Sequence, residues 1–323
     1  MTTELRARLG INNCFAVKRW PEPADWAPIV ADLGLDTVEL SLDLLAGPET
    51  LTSPGTRAGR SRMAERTRAA LDRYGLRAGT VFTGLAAYSL NLLMHPDPGY
   101  RAVARRWYRD VIDLTAALGA TAVGGHVGAL SVPDGADPAR RAERWAGLRE
   151  HLAELAAHAD QAGLDHLLVE NLVTEREPST MALIEDLCSE RAPARAPVQL
   201  CLDLGHPFAS GATGPDADPY AWLKHFGARV PEVQLQQTDG LGDRHWPFTA
   251  EHNTGGRIDP GLVLDTLAGA GATDVLLILE VIPAFEADDA QVIDDLRASV
   301  QVWDRALSDR ALNDRALRDR GLR

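Results

Sequence analysis

Five times along this chain a glycine closes a helix-like stretch and an apolar run begins at once behind it. Gly34 precedes L-D-T-V-E-L, Gly75 precedes L-R-A-G-T-V-F-T and Gly119 precedes A-T-A-V-G-G-H. Gly163 precedes L-D-H-L-L-V-E, and Gly271 precedes A-T-D-V-L-L-I-L-E. Glycine takes the left-handed conformation that ends a helix, so each junction predicts a helix stop followed directly by a buried strand. R-L-G-I-N-N-C near residue 11, P-V-Q-L-C-L-D near 200 and P-E-V-Q-L-Q-Q near 235 bring the predicted strands to eight.

Helical patterns fill the intervals, among them Tyr100 to Leu118, Pro138 to Ala162 and Pro260 to Ala270. Strands that alternate with helices imply parallel pairing through right-handed crossovers, and eight such units match a closed (β/α)8 TIM barrel, an α/β fold in one domain. A doubly wound open sheet fits the same alternation. No G-x-G-x-x-G or G-x-x-x-x-G-K-[ST] follows any of the runs, which counts against it. The barrel is expected to span residues 1–303. From Asp304 the chain reads D-R-A-L-S, D-R-A-L-N, D-R-A-L-R, D-R-G-L-R. A five-residue period advances about 140° around a helix, so its leucines form no single stripe, and residues 304–323 are expected to be a solvated, low-complexity tail.

Composition narrows the function classes. The 323 residues are 45% apolar and 24% charged, values of a chain able to bury a sizeable core. The formal net charge is −13 and no Lys/Arg block occurs, so nucleic acid is not the expected partner. Cys14, Cys188 and Cys201 are odd in number and widely spaced, which suits reduced thiols in a cytosol better than a disulfide framework. The opening M-T-T-E-L-R-A-R-L-G has no apolar core of the signal-peptide kind, and no run approaches the roughly 20 apolar residues of a membrane span. These features predict a soluble, cytoplasmic protein without membrane partners.

Candidate chemistry sits where the apolar runs end, because barrels of this type assemble their sites at the carboxyl ends of the strands. L-L-V-E-N ends in Glu170, Q-L-C-L-D-L-G-H ends in Asp203 with His206 three residues on, and L-L-I-L-E-V ends in Glu280. The seventh run, V-Q-L-Q-Q-T-D-G, presents Gln234, Gln236 and Asp239. A single strand-end carboxylate is more often a loop cap or salt-bridge partner than a ligand. Three converging on one rim are too costly to bury without a cation. With an amide oxygen from Gln236 they form a hard, oxygen-rich set that suits Mg²⁺ or Mn²⁺. Gln236 serves equally well as a partner for backbone groups. Lys18 and Arg19, behind the first strand, are candidates to hold an anionic substrate group. His95 and His126 carry a weaker signal, since an isolated His is usually a satisfied polar group. Trp20, Trp26 and Trp246 are candidate pocket walls, although core packing is their commoner role.

At these residues the chain resembles the xylose-isomerase-like barrels, and within them the ketose 3-epimerases and sugar-phosphate isomerases. The likeness covers roughly residues 8 to 303 and rests on V-E-N at Glu170, L-D-L-G-H at Asp203 and His206, G-G-R-I-D around Asp259 and L-E-V at Glu280. The resemblance implies Glu170 and Glu280 as metal ligands and acid/base pair, Asp203 as a ligand, and His206 as a polariser of substrate oxygen. It implies proton transfer through an enediolate beside a ketose carbonyl. The chain departs from the family in two places. Gln234 and Gln236 stand where the seventh strand usually has His-x-His, and Arg176 stands where the ketose epimerases have a sugar-binding Glu. An Arg there suits a substrate phosphate or carboxylate. The I-N-N-C-F-A-V-K-R-W opening and Q-L-Q-Q-T-D-G resemble a subgroup of tetrulose-phosphate epimerases, with erythrulose phosphate as the implied substrate.

Three other readings use the same residues. A decarboxylase or lyase of an oxo sugar acid needs the same barrel and metal, with Arg176 and Lys18 on a carboxylate. An apurinic endonuclease shares the fold but needs several zincs, many His ligands and a basic surface. A non-catalytic binding module is what the Gln substitutions alone would suggest. Barrels that resemble this chain often pair through their carboxyl-end face, so a homo-oligomer is a further expectation.

Overall fold

The apolar runs become eight parallel strands, each paired with its sequence neighbours until the last returns to the first and closes the barrel. The computed structural model describes residues 5–45, 57–189, 196–209 and 211–319. The strands are β1 Arg6–Asn12, β2 Thr37–Ser41, β3 Arg77–Phe82, β4 Ala122–Gly125, β5 His166–Glu170, β6 Val198–Asp203, β7 Glu232–Leu235 and β8 Asp274–Leu279. Closure runs through six register pairs between β1 and β8, from Arg6 against Asp274 to Ile11 against Leu279. On the other side of the barrel Glu170 pairs with Cys201, and Asp203 with Gln234. The closed sheet is the alternative that the missing nucleotide motifs favoured.

Among the described residues, eight helices of eight residues or more wrap the sheet: α1 Pro23–Asp32, α2 Arg57–Tyr74, α3 Pro98–Leu118, α4 Pro138–Ala162, α5 Met181–Cys188, α6 Pro219–Phe226, α7 Pro260–Gly269 and α8 Asp289–Asp319. Four of them, α3, α4, α6 and α7, begin with Asp-Pro. In each the Asp carboxylate accepts a backbone N–H of the first turn, as Asp259 does from Leu262 at 2.7 Å. Proline then costs nothing, because its missing N–H would have had no helical partner. Helices α3 and α4 stop at Gly119 and Gly163, with φ of 77° and 85°.

The main core lies between sheet and helices, where Trp26, Trp222, Trp303, Tyr108 and Phe226 are fully buried. Trp26 is therefore core, not pocket wall. The inside of the barrel is different: a small apolar plug of Ala122, Leu168 and Cys201 lies among polar side chains. Helix α8 runs without a break past Asp304, where the sequence pattern suggested a solvated tail. Leu307 packs against the core and Arg310 pairs with Asp265 of α7. A five-residue repeat makes no stripe, but one leucine and one arginine are enough to hold these turns on the barrel. No described helix is long and apolar enough to cross a membrane.

Candidate active site

Glu170 and Asp203 are the last residues of β5 and β6, and Glu280 follows β8 directly. Strand side chains alternate between faces, so these three project inward at the same end of the barrel. All three are buried, at 0%, 0% and 1% exposure, and one carboxylate oxygen from each lies within 4.8 Å of the others.

Local chemistry fixes each one. Asp203 Oδ1 accepts backbone N–H groups from Gly205 and His206, at 2.6 and 2.9 Å, and so caps the short helix His206–Ala209. Asn171 braces the strand end in both directions, its amide donating to the Asp203 carbonyl and its oxygen accepting from the Asp203 N–H. Tyr88, from the loop behind β3, donates its hydroxyl to Glu170 Oε2 at 2.5 Å. The Tyr88 ring stacks on His126 with centroids 4.9 Å apart. Asn12 at the end of β1 donates to Glu280 Oε1 at 3.4 Å and to Glu39 Oε2 at 2.8 Å. Below this layer Gln234 and Thr80 also donate to Glu39, and the Cys201 thiol donates to Glu232.

Gln236, directly after β7, takes neither of its amide ends to the centre of the cluster as an oxygen ligand. Its Oε1 accepts the backbone N–H groups of Arg244 and His245, at 3.1 and 2.6 Å. Its Nε2 donates to Asp203 at 3.1 Å and to Asp243 at 2.8 Å. Two N–H donors at one end and carboxylates at the other set the amide orientation. Gly205 makes this possible, since a Cβ there would lie 2.3 Å from Gln236 Cδ. The amide thus ties down the loop behind β7, which a Gln237–Trp246 bridge and an Asp239–Arg244 ion pair also fold back on itself. Asp239 serves this surface loop and not the cluster.

That loop delivers two residues that the sequence pattern did not reveal, Asp243 and His245. Asp243 stands between two imidazoles, 3.3 Å from His206 Nε2 and 3.1 Å from His245 Nε2. His206 Nδ1 donates to the Asn171 carbonyl at 2.6 Å and lies 3.5 Å from Glu170 Oε1. His245 Nδ1 lies 3.6 Å from Glu280 Oε2 and 3.3 Å from the Glu280 carbonyl. Asp203, His206 and His245 form a second group of donor atoms within 4.8 Å of one another, sharing Asp203 with the first.

The charges explain one another. Burial, opposed by His206 and reinforced by Asp203, raises the Glu170 carboxyl to about 7. Burial and the charges of Glu170 and Asp203 push Glu280 well above the carboxylate range. Glu39 and Glu232 are pushed up by burial, Glu39 also by the charge of Glu232. Burial alone would discharge His206 and His245, but Asp203 and Asp243 outweigh it and hold both imidazoles protonated above their ordinary value. Those two imidazoles in turn hold Asp243 well below the carboxylate range against its own desolvation.

The donor set fits a divalent ion. Among the described residues, Glu170 Oε1 and Glu280 Oε2 are buried and accept no hydrogen bond. A buried carboxylate oxygen that accepts no hydrogen bond is costly even with an imidazole nitrogen 3.5 or 3.6 Å away, and two in one space would be neutralised together by a cation. Glu170, Asp203 and Glu280 would hold it, with imidazole nitrogen at the edge of the same space.

The remaining sequence candidates are spread more widely. Lys18 follows the turn behind β1 with a positive φ of 65°, and its ammonium lies 3.8 Å over the Phe285 ring in the loop behind β8. Arg19 is committed to Asp289 and the Ala284 carbonyl. Arg176 points at the Leu130 carbonyl, 3.4 Å away, and packs on Gly135, so its described partners lie outside the carboxylate cluster. His126 bonds the Leu90 carbonyl at 3.1 Å and is fully buried, supporting Tyr88 from behind. His95 stacks on Tyr100, Trp20 packs near Phe15, and Trp246 stacks on His252. Tyr88, Asp243, His245, Asn12 and Glu39 are the site-lining groups that sequence reasoning passed over. Only Glu39 and Asn12 left a signal, a polar residue inside an apolar strand.

Comparison with known proteins agrees with this architecture. The family model of the xylose isomerase-like TIM barrel matches residues 28–301. The D-erythrulose 1-phosphate 3-epimerase of Brucella abortus (strain 2308) is 32% identical over 301 residues, which covers 91% of this chain and 94% of that protein. A putative xylose isomerase from Rhodospirillum rubrum ATCC 11170 superposes with a TM-score of 0.82 at 34% identity, covering 93% and 99% of the two chains. D-psicose 3-epimerase from Clostridium cellulolyticum H10 shares the fold, with a TM-score of 0.67 at 17% identity over 93% and 99%. With the family model across most of its length and a relative above 30% identity along nearly all of it, this chain belongs to the xylose isomerase-like TIM barrel family.

Proposed function

We propose that this protein is a divalent-metal-dependent epimerase of a small ketose phosphate, with Glu170 and Glu280 as the acid/base pair. The observation that carries the reading is the pair of buried oxygens that accept no hydrogen bond, Glu170 Oε1 and Glu280 Oε2, close to one another and to Asp203. An ion held by Glu170, Asp203 and Glu280, Mn²⁺ or Mg²⁺ by the hardness of the donors, would draw electron density from the substrate's carbonyl and make the neighbouring C–H more acidic. The name of the Brucella relative supports a tetrulose phosphate as substrate.

The side chains divide the work. One glutamate removes the proton beside the carbonyl, and the other returns a proton to the opposite face, which inverts the carbon. Each glutamate keeps one buried oxygen free of hydrogen bonds from which to take or give that proton. His206, with Nδ1 on the Asn171 carbonyl at 2.6 Å and Nε2 3.3 Å from Asp243, holds those two groups beside Glu170 in place of the substrate-oxygen contact that the resemblance implies. Lys18 at the mouth, its backbone held at positive φ, is the group assigned to the phosphate. The location proposed is the cytoplasm, consistent with the three cysteines all being free.

The test is solvent deuterium. With D-erythrulose 1-phosphate and Mn²⁺ in D₂O, both epimers should appear, each carrying one deuterium on the carbon beside the carbonyl. Turnover without deuterium at that carbon, or products of lower mass, would replace this reading by another.

Tyr88 offers a finer check. Its hydrogen bond favours the charged form of Glu170, so a Tyr88→Phe substitution raises that carboxyl further. The acidic limb of the kcat profile should move to higher pH, with kcat at neutral pH down roughly fivefold to tenfold. An unchanged pH profile would remove Tyr88 from the machinery.

A further inference from the structure

We infer that His245, carried by the loop behind β7, is the nitrogen ligand of the metal in this chain, and that Gln236 is not a ligand but the strut that positions it. The inference rests on the reading that Glu170, Asp203 and Glu280 hold a divalent ion.

Three observations lead there. Gln236 has its amide oxygen occupied by two backbone N–H groups, and one of them belongs to His245. The strand residue therefore spends its acceptor on the loop, and nothing remains of it for an ion. His245 has the arrangement of a ligating imidazole: Nε2 meets a carboxylate, Asp243, at 3.1 Å, while Nδ1 lies 3.6 Å from Glu280 Oε2, which accepts no hydrogen bond. Metal-bound histidines almost always give their second ring N–H to such an acceptor. The His245 backbone has φ of 48°, a left-handed conformation that few residues other than glycine take up, although histidine tolerates it better than most. Here the contacts that hold it are the Gln236 amide and the hydrogen bond from Ile282 N to the His245 carbonyl.

His206 does not fill the same role. Its Nδ1 sits 2.6 Å from the Asn171 carbonyl, an acceptor only, so that nitrogen must carry hydrogen. Its Nε2 faces Asp243. Neither nitrogen is left for an ion beside Glu170. The contact of His245 Nδ1 to the Glu280 carbonyl is longer, 3.3 Å, and gives way when an ion displaces the Nδ1 proton.

Pulsed electron paramagnetic resonance on Mn²⁺-loaded protein reads the ligand directly. The wild type should show nitrogen coupling to Mn²⁺, converted to the ¹⁵N pattern by labelling histidine, a measurement that needs no variant. The coupling should vanish in a His245→Ala variant and persist in His206→Ala. Mn²⁺ affinity by calorimetry should fall at least tenfold in His245→Ala, with added imidazole restoring part of it in His245→Gly. In Gln236→Ala the nitrogen coupling should weaken together with affinity, as the loop loses its strut. Wild-type protein that binds Mn²⁺ without nitrogen coupling, or coupling that survives in His245→Ala, overturns the inference and leaves the carboxylate site standing. Wild-type protein that binds no Mn²⁺ overturns both.

Discussion

A Glu280→Gln enzyme should lose kcat by roughly 10²–10⁴-fold, and Glu170→Gln by a similar factor, the range expected when a positioned acid/base group is removed. The amide is isosteric and can still meet the Asn12 side chain, so the fold at the rim stays in place. The sharper signature is in exchange. In the proposed mechanism each glutamate faces one side of the reacting carbon, so a variant that lacks one of them should still wash solvent deuterium into one epimer while failing to interconvert the two. The two variants should show opposite preferences. Equal exchange of both epimers in either variant, or activity within a fewfold of the wild type, would end the two-base reading.

Metal-free protein should become less stable as pH rises from the ordinary carboxylate range through about 7, and a divalent cation should reverse the loss. The sign follows from Glu170, whose carboxyl is raised from 4.5 to about 7 in the folded state. Between those values the unfolded chain has released a proton that the folded chain still holds, so the folded state loses ground as pH rises. The loss from this group alone is roughly 3 kcal/mol, at 1.36 kcal/mol per pH unit. Glu280, Glu39 and Glu232, also raised, act in the same direction. His206 and His245 are raised too, and what they contribute is present at low pH and fades as pH climbs past their folded values. Mn²⁺ at a hundred times its dissociation constant adds about 2.7 kcal/mol, or about 4 °C in Tm for a chain of this length. Thermal unfolding from pH 4.5 to 8, with and without Mn²⁺, checks both. A metal-free stability that rises through this window would mean that the carboxylates are not held together as described.

These expectations depend on a site whose parts were legible to different degrees. Glu170, Asp203 and Glu280 could be found from the chain because each ends an apolar run, and a strand end in a closed parallel barrel has a known location. Glycine behind five of the helices and Asp-Pro in front of four mark the boundaries through local backbone chemistry, which needs no tertiary partner. Gln236 was legible as a position but not as a role. An amide at a strand end can offer its oxygen to an ion or to the backbone, and only the neighbours decide.

His245 and Asp243 lie in T-D-G-L-G-D-R-H-W-P, a stretch with neither helical nor strand period, so pattern alone says no more than loop. Tyr88 stands in a similar stretch behind β3. The tail from Asp304 shows the converse: its period denies it an apolar stripe, yet contacts with α7 and the core hold it helical. What this sequence determines unaided is the order of eight βα units and the three acids at their ends, because strand alternation and helix capping act between near neighbours in the chain. Which loop residues complete the carboxylate cluster is decided only in three dimensions, where a Gln236 amide and a bridge to Trp246 bend one aperiodic loop until its histidine reaches a glutamate 35 residues away.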